Sequence, residues 1–491
     1  MKTLVDLLLW GALGLGVSLG QDSGVEDPAP PEVRDVPDVP APPARPHPKG
    51  TFHRAPRPLS PDAVVGDWTE FLGPGGRNVS SETRLRKEWG EGGPPLVWEL
   101  ETGNGYAAPT IQGERLVFFH RVGNEEIVEC LEARTGRLYW QFRSPTDYRD
   151  TYGYSNGPRC SPLIDGDRVF TYGVQGKLHC LKLVTGQLLW KRDLCAEFEV
   201  PQDFFGVVST PVLYGDSLIV HVGSPGGPCV VALDKGTGVL RWATGEEWPA
   251  GYSTPVLGRV HGRDRCLVFA GGKSRPPSGG LMCLDPATGA IDFRFPWRSE
   301  TYESVNASNP VLVRNRVFLS ATYDTGGALL NLLPDGGYEV AWTSDVLCTH
   351  FSTSIHRGGY LYGFDGRNEP DASLVCQELA SGREVWREVL EWEETYELHG
   401  TVRPRPMSVY RGTLLAVDGD FLCLGEVGHL LWLDLTPEGC RVLARQWLFA
   451  ARESWTPPVV SRGLLYVCQN TRDFVTREEP RLLCFDLRGQ E

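Results

Sequence analysis

The chain has 491 residues, 41% of them hydrophobic, with 48 basic and 62 acidic side chains and a net charge of −14. That acidic surplus excludes sequence-independent binding to DNA or RNA, which needs a basic surface, and docking on anionic lipid. Length alone allows roughly two to four domains, so the organisation must come from the pattern along the chain.

The first twenty residues read as an export signal. Lys2 gives a positive start, an apolar stretch runs from Leu7 to Leu19, and the small residues Ser18 and Gly20 precede a cleavage point at Gln21. Asp6 intrudes on the pattern. The stretch is short for a membrane span, and no later segment offers a long uncharged apolar run. The expectation is an exported chain, periplasmic or extracellular, with no transmembrane segment once mature. Residues 21–65 are rich in proline (Pro28, Pro30, Pro31, Pro40, Pro42, Pro43, Pro46 and Pro48) and poor in large apolar side chains. They cannot bury enough surface to offset their ordering entropy, which predicts a disordered, polyproline-like linker. Residues 66–95, opening at Asp67-Trp68, form a lead-in expected to pack on the domain that follows.

From residue 96 the chain repeats at intervals of roughly 50 residues, the mark of a solenoid, a propeller or an array. Thr135-Gly136 with Trp140, Thr185-Gly186 with Trp190, and Thr237-Gly238 with Trp242 are the clearest copies. Thr288-Gly289 with Phe293, Gly337 with Trp342, and Ser381-Gly382 with Trp386 are weaker ones. Each copy opens on a small residue, usually followed by proline. The openings are Ala108-Pro109, Ser161-Pro162, Thr210-Pro211, Thr254-Pro255, Asn309-Pro310, Thr353-Ser354, Pro406-Met407 and Thr456-Pro457. An apolar β-former stands about seven positions on, among them Leu116, Val169 and Leu414. Pro162 to Phe170 reads as strand, Asp-Gly turn, strand. Four short antiparallel strands per copy, without helical periodicity, make a blade that needs neighbours to cover its faces. The fold predicted is all-β, an eight-bladed β-propeller of four-stranded antiparallel blades over 96–491. The eighth copy stops after Leu482 to Asp486, before its Trp strand, and an unattached strand at Leu96–Trp98 precedes the first copy. Lodging it in the last blade closes the ring and leaves no large open edge. Trp98, Trp140, Trp190, Trp242, Phe293, Trp342 and Trp386 are then the large rings wedged between blades.

Cys130, Cys180, Cys283, Cys376 and Cys484 each fall five residues before the Thr-Gly position or its equivalent. Equivalent positions in different blades are too far apart to bridge, so these five read as small core residues. Any disulfide would come from the other eight.

The run from Cys130 through Thr135-Gly136 to Trp140, and that from Ala232 through Thr237-Gly238 to Trp242, resemble the tryptophan-docking repeat of pyrroloquinoline-quinone-type propellers. The lead-in, Asp67 to Ser80, is similar to a segment that precedes the propeller in exported members from planctomycete-type bacteria. That superfamily includes both the outer-membrane assembly scaffold propeller and quinone-dependent dehydrogenases. The resemblance therefore implies a non-catalytic exported platform for a protein partner in the cell envelope or a small ligand, in the setting of envelope assembly. Its alternative is a quinone- and Ca-dependent alcohol dehydrogenase. Many such enzymes roof the cofactor with an adjacent Cys pair, which this chain lacks, and Asn156, Asn306, Asn309 and Asp365 share no spacing that ties them into a calcium site. The reading favours binding without a cofactor, and names no catalytic residue and no metal ligand. Polar and aromatic side chains gather in the segments before the openings. Tyr154, Arg159, Asn309, His399 and Arg403 are accordingly expected to converge on the channel mouth and hold a ligand or peptide.

Overall fold

The structure, a computed structural model, describes residues 27, 31, 33–34, 36–37, 39–90, 92–367, 372–398 and 400–489. The apolar stretch of the export signal lies outside them. The chain forms eight antiparallel sheets arranged in a ring. Blades 1 to 7 span 110–145, 163–193, 212–244, 256–296, 311–344, 355–388 and 413–447. Blade 8 combines 459–486 with the strand Leu96–Glu101. Trp98 pairs with Cys484 and Glu99 with Leu483, so the two ends of the propeller close the ring. Among the described residues, helix is confined to the single turn Leu194–Glu197. No helix among the described residues is long and apolar enough to cross a membrane.

The repeated residues make one repeated joint. On the outermost strand the large ring sits opposite a small residue: Trp140 against Cys130, Trp190 against Cys180, Trp242 against Ala232, and Trp386 against Cys376. Each pair adjoins a register shift, a local bulge that re-aims the indole. The ring then lies on the next blade. Trp98 Nε1 donates to Ala133 O at 2.9 Å, Trp140 Nε1 to Leu183 O at 2.9 Å, and Trp386 Nε1 to Thr436 O at 2.8 Å. Gly136 sits under Trp98 with φ at 69°. A Cβ there would lie 2.9 Å from the indole, so both conformation and space require glycine. Phe293 has no N–H to donate and packs instead on Tyr338, 4.7 Å away. All thirteen cysteines are free thiols.

Blade 7 departs from the prediction. The sequence places its opening at Pro406-Met407 and its second strand at Leu414. In the structure Pro406 and Met407 belong to an inserted hairpin, Glu391–Leu398 with Thr401–Ser408, and Leu414 lies on the innermost strand, Thr413–Val417. The insertion shifts the register, and Pro406-Met407, an opening without proline at the aligned place, falls on the hairpin. The large–small pair is also reversed here: Trp432, on the third strand, faces Ala444 on the fourth.

The amino-terminal arm departs as well. Residues 45–58, predicted to lie in a disordered linker, are strapped to the ring. Gly50–Phe52 pairs with Leu96–Glu101 as a fifth strand of blade 8. Arg45 and Leu138 exchange backbone hydrogen bonds at 2.9 and 2.8 Å, and His47 Nε2 lies 3.3 Å from Glu129 in a buried pair. The physical reason is the outer edge of Leu96–Glu101. It offers unpaired backbone groups, and Gly50-Thr51-Phe52 contains no proline to prevent pairing.

The lead-in crosses the bottom of the ring, the face carrying the turns between first and second strands. Asp67 Oδ1 accepts from Gly113 N in blade 1 at 3.0 Å, and Thr69 O from Ile164 N in blade 2 at 2.8 Å. The Glu82 carboxylate accepts from Gly66 N at 3.0 Å and from Gly463 N in blade 8 at 2.8 Å. Leu85 N donates to Asp418 Oδ2 in blade 7 at 2.9 Å. Trp68, 1% exposed, seals this layer.

Candidate functional site

The top of the ring carries the connectors between blades. Its innermost layer is a belt made by the residues that open each copy. Ala108 N donates to Ser161 Oγ, Ser161 N to Thr210 Oγ1, Thr210 N to Thr254 Oγ1, Thr254 N to Asn309 Oδ1, and Asn309 N to Thr353 Oγ1, at 2.9 to 3.2 Å. A small hydroxyl or amide is needed at each opening because the next blade's backbone N–H must find an acceptor. The belt ends at blade 6, where the inserted hairpin follows.

Above the belt runs a chain of rings. Tyr302, Phe204, Tyr152, Phe205, Tyr154, Trp455, Phe351 and His350 follow one another with centroids 5.4 to 5.7 Å apart. Guanidinium groups lie on this wall. Arg159 sits 5.5 Å from the Tyr106 ring and 5.7 Å from Phe205, and Arg411 sits 5.3 Å from Trp455. The wall is braced by carboxylates. Buried Glu426 pairs with Arg411 and accepts Trp455 Nε1 at 2.8 Å, and Glu453 accepts from the Tyr106 hydroxyl at 2.5 Å. Burial, reinforced by Glu453, pushes the Tyr106 hydroxyl well above its ordinary pKa. Burial and the nearby Arg411 push His350 down to about 3, so it stays neutral. Tyr152 and Tyr154 are 51% and 44% exposed and present their rings to solvent. Such a surface stacks on flat or aliphatic groups and holds cationic and aromatic partners.

The five residues expected at the mouth separate. Tyr154 and Arg159 share the Phe205 ring. Arg159 is otherwise committed, pairing with Asp150 at 2.8 Å and donating to Ser155 O at 2.9 Å, so it shapes the loop bearing Tyr154. Asn309 is a member of the belt, its Oδ1 taken by Thr254 N. Arg403 lies on the inserted hairpin opposite Tyr396. His399 lies outside the described residues. The sequence reading missed Trp455, Phe351, Tyr106 and Phe205. For all but Phe205 a signal existed: Tyr106, Arg159, Tyr252 and Phe351 each stand two residues before an opening, and Trp455 stands one before.

The oxygen donors do not fit a quinone beside a calcium ion. Asn156 Oδ1 accepts from Asp150 N at 2.7 Å. Asp365 takes Cys348 N at 2.7 Å and the Arg387 guanidinium at 2.5 Å. Asn306 donates to Ala270 O and Trp297 O. Each fixes a connector in its own blade, and a shared calcium needs several free oxygens at one point.

A family model described as outer membrane protein assembly factor BamB matches residues 124–388, more than half of the chain. The BamB of Yersinia pestis is 20% identical over 364 residues, 61% of this chain and 85% of that one. Among solved structures, BamB from Moraxella catarrhalis superposes with a TM-score of 0.54 at 15% identity, over 80% of this chain and 99% of the other. A europium-containing methanol dehydrogenase superposes at 0.63 and 12% identity, over 86% and 98%. At such identities these structures share the fold alone.

Proposed function

The chain belongs to the family of the outer membrane protein assembly factor BamB, and from that premise we propose that it is an exported, non-catalytic binding platform serving envelope assembly, which engages a protein partner through the top of its ring. The observation carrying this reading is the continuous wall of rings from Tyr302 to His350, with Tyr152 and Tyr154 exposed on it. Exposed aromatic side chains backed by arginine are the usual anchors of a protein interface. Around Tyr154 and Trp455 the charged groups are already engaged, Arg159 with Asp150 and Arg411 with Glu426, which supports recognition by stacking rather than proton transfer. The platform takes no quinone in this reading, because Asn156, Asn309 and Asp365 already accept hydrogen bonds within the connectors and the belt.

The test is comparative capture from native envelope. Wild type and a Tyr152→Ala/Tyr154→Ala double variant, matched in melting temperature, are used as bait. The expected result is a partner retained by wild type and lost by the variant. Equal retention rejects the top as the binding face. Dye reduction by alcohols after incubation with quinone and Ca²⁺ would reject the non-catalytic reading.

A further inference from the structure

Behind the wall, between blades 2, 3 and 4, lies a cavity of about 500 Å³. It adjoins the Tyr302 end of the wall and is not lined by Tyr154, Trp455 or Phe351; the neighbouring loop carrying Phe204 and Phe205 is held by Tyr252, whose hydroxyl accepts Phe205 N at 2.8 Å. The walls are largely apolar, with Val174, Val207, Val222 and Pro249 among them. Three polar side chains line it with buried atoms that lack a hydrogen-bond partner. They are His221, with both ring nitrogens unpaired, and Ser209 and Tyr148, each with its hydroxyl unpaired, all three 2% exposed. Buried polar groups are nearly always satisfied, and leaving them unpaired is costly. Three such groups lining one roomy cavity call for a ligand that supplies their partners.

The rim adds a second, independent feature. Asp203 is occupied by the backbone N–H groups of Lys273 and Phe204. Lys273 Nζ and the Arg275 guanidinium lie over rings, 5.6 Å from Phe204 and 4.1 Å from Tyr302; the Asp203 carboxylate is near enough to Lys273 to attract it, but neither cation forms a close ion pair among the described residues. Burial pushes His221 down to about 3, so the imidazole is neutral and offers one donor and one acceptor. The interior therefore rejects a charged group, and the rim attracts an anionic one.

We propose that this cavity binds a small amphiphilic carboxylate: a neutral hydroxyl head between His221 and Ser209, an aliphatic body along the valines, and the carboxylate at Lys273 and Arg275. Calorimetric titration of the purified chain with ω-hydroxyoctanoate, octanoate and octanediol tests it. ω-Hydroxyoctanoate should bind tightest, and losing either end should weaken binding about tenfold, the effect of one lost buried or charged hydrogen bond. His221→Leu and, separately, Ser209→Ala should erase the advantage of the hydroxyl while leaving octanoate unchanged. Lys273→Gln with Arg275→Gln should weaken both carboxylates and spare the diol. Tyr154→Ala, at the mouth, should alter none of these values, so this site and the partner surface fail or stand separately. The proposal is overturned if no probe binds the wild type, if the three bind equally, or if the single variants at His221 and Ser209 leave the ratio of hydroxylated to plain acid unchanged.

Discussion

The two faces of the ring are built from the same repeat and put to opposite uses. At the bottom, the lead-in lays its own backbone and carboxylates across the turns of blades 7, 8, 1 and 2. Polar groups there are answered from within the chain, and Trp68 is sealed. At the top, a hydrogen-bonded belt fixes the openings, and beyond it aromatic side chains face solvent. A repeat fold needs both faces finished; here the chain finishes one itself and leaves aromatic rings exposed on the other. Identical strands thus say little about function, which lies in the connectors they carry.

This contrast breaks if damage at the bottom alters binding, or damage at the top unfolds the ring. The largest effect is expected from Trp68→Ala, which should cost about 3–5 kcal/mol of stability through the cavity it leaves. Urea denaturation measures it, and partner capture should be unchanged under native conditions. Glu82→Ala should cost about 2–3 kcal/mol, because it strips an acceptor from buried backbone N–H groups in both the lead-in and blade 8.

Acid sharpens the comparison, because the four histidines with clearly lowered pKa and little exposure, His179, His221, His350 and His429, all sit in the top half. Burial lowers His179 to about 4 and the other three to about 3. In the unfolded chain each titrates near its ordinary value, about 6.5. As pH falls, the unfolded state takes up protons that the folded state refuses. Stability that is full above about pH 6.5 is therefore lost progressively as pH falls, down to about 4 for His179 and about 3 for the others. Melting temperature should fall steadily from pH 7 to pH 4, and His429→Phe should flatten the slope. The smallest effect on stability belongs to Tyr154→Ala, expected within about 0.5 kcal/mol although it removes an anchor of the mouth.

The sequence discloses the fold nearly in full because the joint between blades consumes the same residues every time. A glycine under an indole and a small residue opposite it are geometric demands, so Gly136, Cys130 and Trp140 announce themselves by spacing. Closure by Leu96 to Trp98 follows from counting strands. Blade 7 hid itself twice, through the hairpin before it and through the exchange of Trp432 with Ala444, which keeps the volume and moves the signal. The arm at 45–58 hid because its pairing depends on an edge supplied elsewhere in the chain. The mouth was half legible: Tyr154 and Arg159 stood out by composition, whereas Trp455 and Phe351 are visible only once openings are aligned. Asn309 serves the belt through its amide oxygen, a role that its position at an opening also explains. His221 carried no signal, because being unpaired is a property of its surroundings.

The most direct measurement places a photoreactive phenylalanine analogue at position 154 on the top or at position 239 on the bottom turn, each side chain being exposed in the native chain (44% for Tyr154, 41% for Val239). After irradiation in native envelope, a discrete cross-linked partner should form from position 154 and not from position 239. A partner captured from position 239 alone would mean that the finished face is the working one, and would contradict the account.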